Sequence, residues 1–173
     1  MRIQLGVAML MAASVALAHG PTRQKVTETI QVDVAPDVAW ARIKDFNALQ
    51  TWHPAIESSE TTDGNNVGSV RTLHLKGGGQ VVEELEGYSE ADHKMNYRMK
   101  DPGPVPVNNY TSTLSVKPVE GSSGSIVEWR GAFYRAYTNN DPPPDKNDEA
   151  AIKAVTDIYQ SGLANLKTLL QKP

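Results

Sequence analysis

The sequence predicts an α+β fold in which a curved antiparallel sheet wraps around a long C-terminal helix, with two short helices after the first strand. Short runs between residues 25 and 137 alternate apolar and polar side chains, and turn-forming residues separate these runs, as in hairpin-linked strands. Residues 148–171 instead carry apolar side chains at helical spacing. Because a single amphipathic helix must bury its apolar face, we expect it to lie against the concave side of the sheet.

The first strand and the first helix are predicted from adjacent patterns. Residues 25–34 alternate and form a half-buried strand. Pro36 is predicted to begin the helix, because the first helical residue does not need its backbone N–H, and Asp37 suits the positive end of the helix dipole. The apolar face of this helix is predicted to consist of Ala39 or Trp40, then Ile43 and Phe46. We expect Trp52 and His53, just beyond it, to sit at the entrance of a cavity.

Six further runs are predicted to complete the sheet. They cover residues 56–62, 68–75, 80–88, 93–99, 108–119 and 125–137. Gly131, in the middle of the last run, indicates a bend or a close approach of another group. The final helix follows a loop of residues 138–147 that contains three successive prolines, and Asn147 or Asp148 is its predicted N-cap. That loop is either a partner-docking lip or, as we favour, a linker that positions the helix.

The N-terminal 18 residues are predicted to be a cleavable signal peptide. Arg2 supplies the positive charge, the apolar run that follows is short for a membrane span, and Ala16-Leu17-Ala18 matches a cleavage site after Ala18. Residues 19–24 are then a flexible leader and residues 25–173 the folded domain. The length of 173 residues suits one domain with a core of its own.

Charge and composition exclude several classes of function. The net charge is −3 at pH 7, and no cluster of lysine and arginine is present, so the chain is a poor binder of nucleic acid and of anionic membranes. The absence of cysteine excludes disulfides and thiolate chemistry. The spacing of His53, His74 and His93 matches no metal-ligand motif, and we predict neither a metal nor another cofactor.

Two charged residues share strand faces with leucines. Arg71 is in phase with Leu73, and Glu83 is in phase with Leu85, on either side of a glycine-rich turn. If the two strands pair, both charges point into the interior. They would then anchor a polar ligand group or act as an acid/base pair, or form a structural ion pair, which we favour because buried charges are normally partnered.

His53 and the aromatic residues also have two interpretations. His53 is a general base or a gate residue, or, as we favour, a hydrogen-bonded and partly buried histidine, because no nucleophile lies near it in the sequence. The aromatic side chains either line a pocket or pack in the core. The full set of predicted cavity-lining residues is Trp52, His53, Arg71, Leu73, Glu83, Leu85, Tyr97, Tyr110, Trp129, Phe133 and Tyr159.

The chain resembles the START/Bet v 1-like (SRPBCC) superfamily, in its polyketide cyclase/dehydrase and lipid-transport branch, over about residues 26–170. The resemblance rests on an ordered set of short motifs. They are APDVAW at 35–40, DFN at 45–47, WHP at 52–54, GSVR at 68–71, EEL at 83–85, YR at 97–98, PVNNY at 106–110 and VEW at 127–129. It implies the helix-grip (Bet v 1-like) fold, in which the space between sheet and helix holds a small hydrophobic ligand.

With the signal peptide, the chain is similar to the periplasmic MxaD-type proteins of methylotrophic bacteria. That similarity implies a periplasmic, non-catalytic accessory protein that assists electron transfer from methanol dehydrogenase to cytochrome c, without a stable membrane anchor. An acidic surface would suit a basic cytochrome. The alternative is a carrier of a small hydrophobic ligand. A cyclase or dehydratase is the third possibility, which the lack of a nucleophile–base pair and of a cofactor motif disfavours.

Overall fold

The computed structural model describes residues 20–171, which form one sheet of seven antiparallel strands in the order β1-β7-β6-β5-β4-β3-β2. The strands are β1 (Gln24–Val32), β2 (Ile56–Thr61), β3 (Val70–Leu75), β4 (Gln80–Ser89), β5 (Lys94–Asp101), β6 (Val107–Pro118) and β7 (Ser125–Arg135). The helices are α1 (Pro36–Ile43) and α2 (Asp148–Leu170), with 3₁₀ turns at Leu49–Thr51 and Pro144–Lys146. The predicted fold class is therefore confirmed.

The boundaries differ from the predictions in small ways. β1 begins at Gln24, one residue inside the predicted leader, because its backbone pairs with Phe133 of β7. The second of the two short helices is only a 3₁₀ turn of three residues. The predicted signal peptide, residues 1–18, lies outside the described residues.

The ends of both helices follow from local sequence. Pro36 stands at the start of α1, with Asp37 in the first turn. Asn147 is the N-cap of α2, and its side chain accepts a hydrogen bond of 2.8 Å from the backbone N–H of Ala150. The last turn of α2 carries Lys167, which suits the negative end of the helix dipole. Of the helices within residues 20–171, none is long and apolar enough to cross a membrane.

The helix α2 lies across β1 and β7 on the concave face of the sheet, where the core is buried. Alternate residues of each strand point toward it, as the period of two requires. The residues that α2 buries there are Ala151, Val155, Tyr159, Gly162, Leu163 and Leu166. The opposite, convex face of the sheet carries exposed and half-buried side chains.

The proline-containing loop is tied to the start of α2 by the buried side chain of Arg135. Its Nε donates to the carbonyl oxygen of Tyr137 at 2.8 Å, and Nη2 donates to that of Asn139 at 3.1 Å. Nη1 donates to a carboxylate oxygen of Asp148, the first residue of α2, at 3.1 Å. These contacts support the linker interpretation of the loop.

Candidate ligand-binding cavity

A cavity of about 340 Å³ lies between the concave face of the sheet and α2. Its apolar walls are formed by Leu49, Ala55, Ile56, Leu73, Leu75, Val81, Met99, Val105, Val155 and Ile158. The side chains with polar atoms in the wall are His53, Glu83, Tyr97, Tyr110, Trp129 and Tyr159. This volume is at the small end of the range for ligand pockets.

The cavity reaches the surface between two loops. Gly77 and Gly78, in the turn between β3 and β4, and Pro104, between β5 and β6, line the cavity and are exposed. The loops are in backbone contact, because a Cβ atom on Gly103 would lie 1.9 Å from the carbonyl oxygen of Gln80. A glycine-rich turn and a proline-rich loop therefore frame the opening.

Arg71 and Glu83 form a buried ion pair, directly opposite each other on β3 and β4, and of the two only Glu83 lines the cavity. Arg71 Nε donates to Glu83 Oε2 at 2.8 Å, and Nη2 lies 2.7 Å from the same oxygen. Nη1 donates to the carbonyl oxygen of Phe46 at 2.6 Å, and the guanidinium lies 4.1 Å from the centroid of the Phe46 ring. The structural ion pair that the sequence favoured is confirmed, and it fastens the segment after α1 to the sheet.

Arg71 contacts only one carboxylate oxygen of Glu83, a residue that lines the cavity. Both contacts use Oε2, and Oε1 takes no part in them. Burial raises the pKa of Glu83, and the charge and hydrogen bonds of Arg71 oppose that rise. Because the guanidinium donates directly to the carboxylate, we treat the pair as ionised and neutral overall.

His53 connects the Trp52-His53-Pro54 segment to α2. Its Nε2 donates to the carbonyl oxygen of Ile158 at 2.9 Å, and its Nδ1 accepts from the backbone N–H of Ala55 at 3.2 Å. Burial lowers the pKa of His53, so the ring is neutral. The hydrogen-bonded histidine that the sequence favoured is therefore confirmed, and neither ring nitrogen is available to a ligand.

Four aromatic side chains of the cavity wall and one serine share a buried hydrogen-bond network. Trp129 Nε1 donates to the hydroxyl oxygen of Tyr97 at 2.8 Å and to Ser112 Oγ at 3.0 Å. The hydroxyl of Tyr159 lies 3.1 Å from Ser112 Oγ and is hydrogen-bonded to that of Tyr110. Burial raises the pKa of Tyr97 to about 12 and holds the pKa values of Tyr110 and Tyr159 well above the ordinary value. All three hydroxyls are therefore protonated at neutral pH.

Two glycines make room for these side chains. A Cβ on Gly131 would lie 2.3 Å from the hydroxyl oxygen of Tyr159, so the close approach expected at this position is confirmed. A Cβ on Gly162 of α2 would lie 2.5 Å from Cδ2 of His53 and 3.0 Å from Trp129. Glycine at these positions lets β7 and α2 come close to the aromatic cluster.

The structure brings seven of the eleven predicted lining residues into the cavity wall, and whether they bind a ligand stays a prediction. These seven are His53, Leu73, Glu83, Tyr97, Tyr110, Trp129 and Tyr159. The other four are buried but do not line the cavity. They are Trp52, Arg71, Leu85 and Phe133.

The expectation that Trp52 and His53 sit at the entrance is wrong. Each has only 2% of its surface exposed, and the exposed wall residues belong to the two loops instead. Hydrogen bonds to α2 hold the segment inside, since Asn165 Nδ2 donates to the carbonyl oxygen of Trp52 at 2.8 Å. The Trp52 ring packs edge-on against Trp129, with centroids 5.4 Å apart.

Sequence reasoning missed several apolar wall residues. Val81 was available from the pattern, because it is in phase with Glu83 on β4. Val155 was assigned to the apolar face of α2 but not to the cavity. For Met99, Val105 and Ile158, nothing in the sequence distinguishes a cavity-lining residue from an ordinary core residue. Within residues 20–171, no three histidine, aspartate or glutamate side chains converge as metal ligands would.

Comparison with known proteins identifies the family. The sequence profile described as polyketide cyclase / dehydrase and lipid transport matches residues 23–171. The solved structure of the protein XoxI from Bacillus cereus is 33% identical, with a TM-score of 0.72, over 84% of this chain and 94% of that chain. An uncharacterised protein from Bacillus thuringiensis is 32% identical, with a TM-score of 0.73, over 86% of this chain and 100% of that chain.

A more distant structure shares the fold alone. The ZhuI aromatase/cyclase from Streptomyces sp. R1128 is 13% identical, with a TM-score of 0.66, over 87% of this chain and 94% of that chain. The profile match and the two bacterial relatives cover almost all of the described residues, and they agree with the superfamily resemblance seen in the sequence. The chain therefore belongs to the polyketide cyclase / dehydrase and lipid transport family.

Proposed function

We propose that this protein binds a small, mostly apolar molecule in the cavity between sheet and helix, and that it does so without catalysing a reaction. The observation that carries the proposal is the cavity itself, about 340 Å³ with an apolar wall and an opening between two loops. Burial of apolar ligand surface there supplies the affinity, at roughly 25 cal/mol per Å² of apolar area.

The polar atoms of the wall indicate what else the ligand carries. Glu83 offers Oε1 as a hydrogen-bond acceptor, and Tyr97 accepts from Trp129 and so keeps its own proton to donate. The Arg71–Glu83 pair is already neutral, so a charged group would be buried there without a partner. The ligand is therefore uncharged, with one group such as a hydroxyl or an amide at this end.

The side chains of the wall favour binding over catalysis. His53 cannot take up a proton at Nδ1 without losing its contact with the backbone N–H of Ala55. Tyr97, Tyr110 and Tyr159 are held as neutral hydroxyls, and Glu83 is engaged by Arg71. His53 is committed to contacts with the backbone at both ring nitrogens, and Glu83 and Tyr97 are left to orient a ligand by hydrogen bonds rather than to exchange protons with it.

A fluorescent probe tests the proposal directly. We expect 1-aminoanthracene, an uncharged aromatic fluorophore, to bind the purified protein, and a co-purifying small molecule to be visible by native mass spectrometry. Val81→Phe fills the cavity and should weaken probe binding about tenfold or more. Val82→Phe, the neighbouring outward position on the same strand, is the matched control and should change affinity less than about twofold. Absence of probe binding, or equal losses in both variants, would contradict the proposal.

The role in methanol oxidation remains a separate prediction from the resemblance to MxaD-type proteins. It includes methanol dehydrogenase and cytochrome c as partners and a periplasmic location, and no feature of residues 20–171 favours it over ligand binding. Adding the purified protein to a dehydrogenase–cytochrome assay tests it. An unchanged rate of cytochrome reduction at every salt concentration would reject it.

A further inference from the structure

The convex face of the sheet, opposite the ligand cavity, carries a polar groove of about 520 Å³. Its floor consists of small side chains on β6 and β7, namely Thr111, Thr113 and Ala132, together with the backbone at Gly131. Three exposed cationic side chains, Lys25, Lys94 and Arg130, line it.

These cations have no acidic partner in the described part of the chain. The ion pairs within 4 Å among residues 20–171 include none with Lys25, Lys94 or Arg130. One acidic residue, Glu86, also lines the groove, but its carboxylate contacts Arg98. The groove is therefore locally positive on a chain whose net charge is −3.

The strand order separates the three cations. Lys25 lies on β1, Arg130 on β7 and Lys94 on β5, and the order β1-β7-β6-β5 puts three strand spacings between the two lysines. At about 4.8 Å per spacing, the two lysine-bearing strands are about 15 Å apart. The pairing register places Lys25 level with Arg98, four residues along β5 from Lys94, so the two lysine positions are about 20 Å apart. A single phosphate group, which needs donors within hydrogen-bond reach of one another, does not match that separation. A chain with several carboxylates does, because an extended segment of about six residues has the same length.

We propose that this groove docks an extended acidic segment of a partner protein. The shallow floor of threonine and alanine lets a backbone approach, and the hydroxyl of Thr113 can hydrogen-bond to it, whereas the hydroxyl of Thr111 already accepts from Arg23 at 3.3 Å. The three cations pair with carboxylates spaced along the segment. Because the rest of the molecule is acidic on balance, it repels such a partner elsewhere and orients it toward the convex face.

The surrounding chemistry disfavours other occupants. A nucleic acid would meet a chain of net negative charge with few phosphate contacts available. A membrane surface would need apolar side chains for insertion, and the groove-lining side chains are charged, polar or small. The ligand cavity lies on the other face of the sheet, so the two sites can be occupied at once and tested separately.

The experiment uses a fluorescein-labelled oligoglutamate peptide of about ten residues, long enough to span the groove, and measures anisotropy with the full protein at low ionic strength. We expect saturable binding that weakens as salt is added. The triple variant Lys25→Gln, Lys94→Gln, Arg130→Gln should weaken binding about tenfold. The matched control, Lys76→Gln, Lys146→Gln, Lys167→Gln, removes the same charge from exposed or half-exposed positions elsewhere and should change affinity less than about twofold.

Amide chemical shifts provide a second measurement. The peptide should move the signals of Asn96, Thr111 and Thr113, and leave those of cavity residues such as Val105 in place. Equal losses in the two triple variants would show that only net charge matters and would overturn the proposal. So would a failure of the peptide to bind, or tighter binding of inorganic phosphate, single-stranded DNA or anionic vesicles through the same three cations.

Discussion

Close to α1, the space on the concave face of the sheet is filled by side chains, whereas between the sheet and α2, below the turn between β3 and β4, it is open. The filled half leaves a void of only about 10 Å³, against about 340 Å³ in the open half. Ile43, Trp52, Met95 and Leu114 face the small void, and Leu73, Val81, Met99 and Ile158 face the large one. The same sheet forms one wall of both halves, but Ile43 of α1 lines the small void and Val155 and Ile158 of α2 line the cavity.

The comparison shows why the open half keeps its shape. Arg71 lies at the boundary, where it contacts Phe46 on one side and Glu83 on the other. Trp129 lines both halves, and its Nε1 hydrogen bonds and its stacking on Tyr159, with ring centroids 4.4 Å apart, fix its ring. The filled half therefore supports the wall of the open half, and the proposed ligand would meet a preformed surface.

Removing the guanidinium should have the largest effect. Arg71→Met leaves the carboxylate of Glu83 and the carbonyl oxygen of Phe46 buried without their donor. We expect the free energy of unfolding to fall by about 3–5 kcal/mol, measured by urea denaturation.

Two further variants test that explanation. Arg98→Met breaks a cross-strand ion pair of the same type with Glu86 at a solvent-exposed position, and it should cost less than about 1 kcal/mol. The double variant Arg71→Met, Glu83→Leu should recover most of the loss, because no buried charge is left behind. If Arg71→Met lowered the free energy of unfolding as little as Arg98→Met does, the filled half would not depend on the buried ion pair.

The next prediction compares enlargement of one leucine in each half. Leu114 faces the small void and Leu73 faces the cavity, with exposures of 3% and 4%. Leu114→Phe should destabilise by about 1–3 kcal/mol, because the new ring has no space. Leu73→Phe should cost less than about 1 kcal/mol, because its ring enters the open cavity, and it should displace 1-aminoanthracene. Equal costs in urea denaturation would mean that the two halves are packed alike in solution.

Local pattern accounts for the features that the sequence predicted well. Alternation with period two identified the strands, and the glycine-rich turn placed Arg71 opposite Glu83, because pairing across a hairpin follows from the strand lengths and the turn. Helical spacing identified α2 and its buried face, including Val155 and Tyr159. In each case the prediction depends on residues that are close in sequence, or on two strands whose pairing is fixed by a single turn.

Features that depend on distant contacts could not be predicted. His53 meets Ile158 and Trp52 meets Asn165, across separations of 105 and 113 residues. No periodicity records such contacts, so both residues were placed wrongly at the entrance. Alternation predicts which side chains point inward. It does not predict how tightly those side chains pack, and the packing decides whether the space between sheet and helix is filled or open.

The hydroxyl network should contribute less than the ion pair. Tyr159→Phe removes the partner of the Tyr110 hydroxyl and one partner of Ser112 Oγ, while the stacking on Trp129 is kept. We expect a loss of about 1–2 kcal/mol in urea denaturation, and weaker binding of the probe if the network orients the wall. Tyr134→Phe is the control, since that residue lies outward on β7, where water replaces any lost hydrogen bond. Equal effects of the two variants would show that the network contributes nothing to stability.

The smallest expected effect is a pH dependence that originates at His53. Burial lowers its pKa in the folded protein below the value of about 6.5 in the unfolded chain. The unfolded state therefore binds the proton more tightly, so the stability is complete above about pH 6.5 and falls as the pH drops below it, with a slope of at most about 1.4 kcal/mol per pH unit. Urea denaturation between about pH 7.5 and 5.5 measures this slope, which His53→Gln should reduce. His74→Gln, at a partly exposed position, should keep the slope of the parent protein, and a slope that survives His53→Gln would assign the pH dependence to another group.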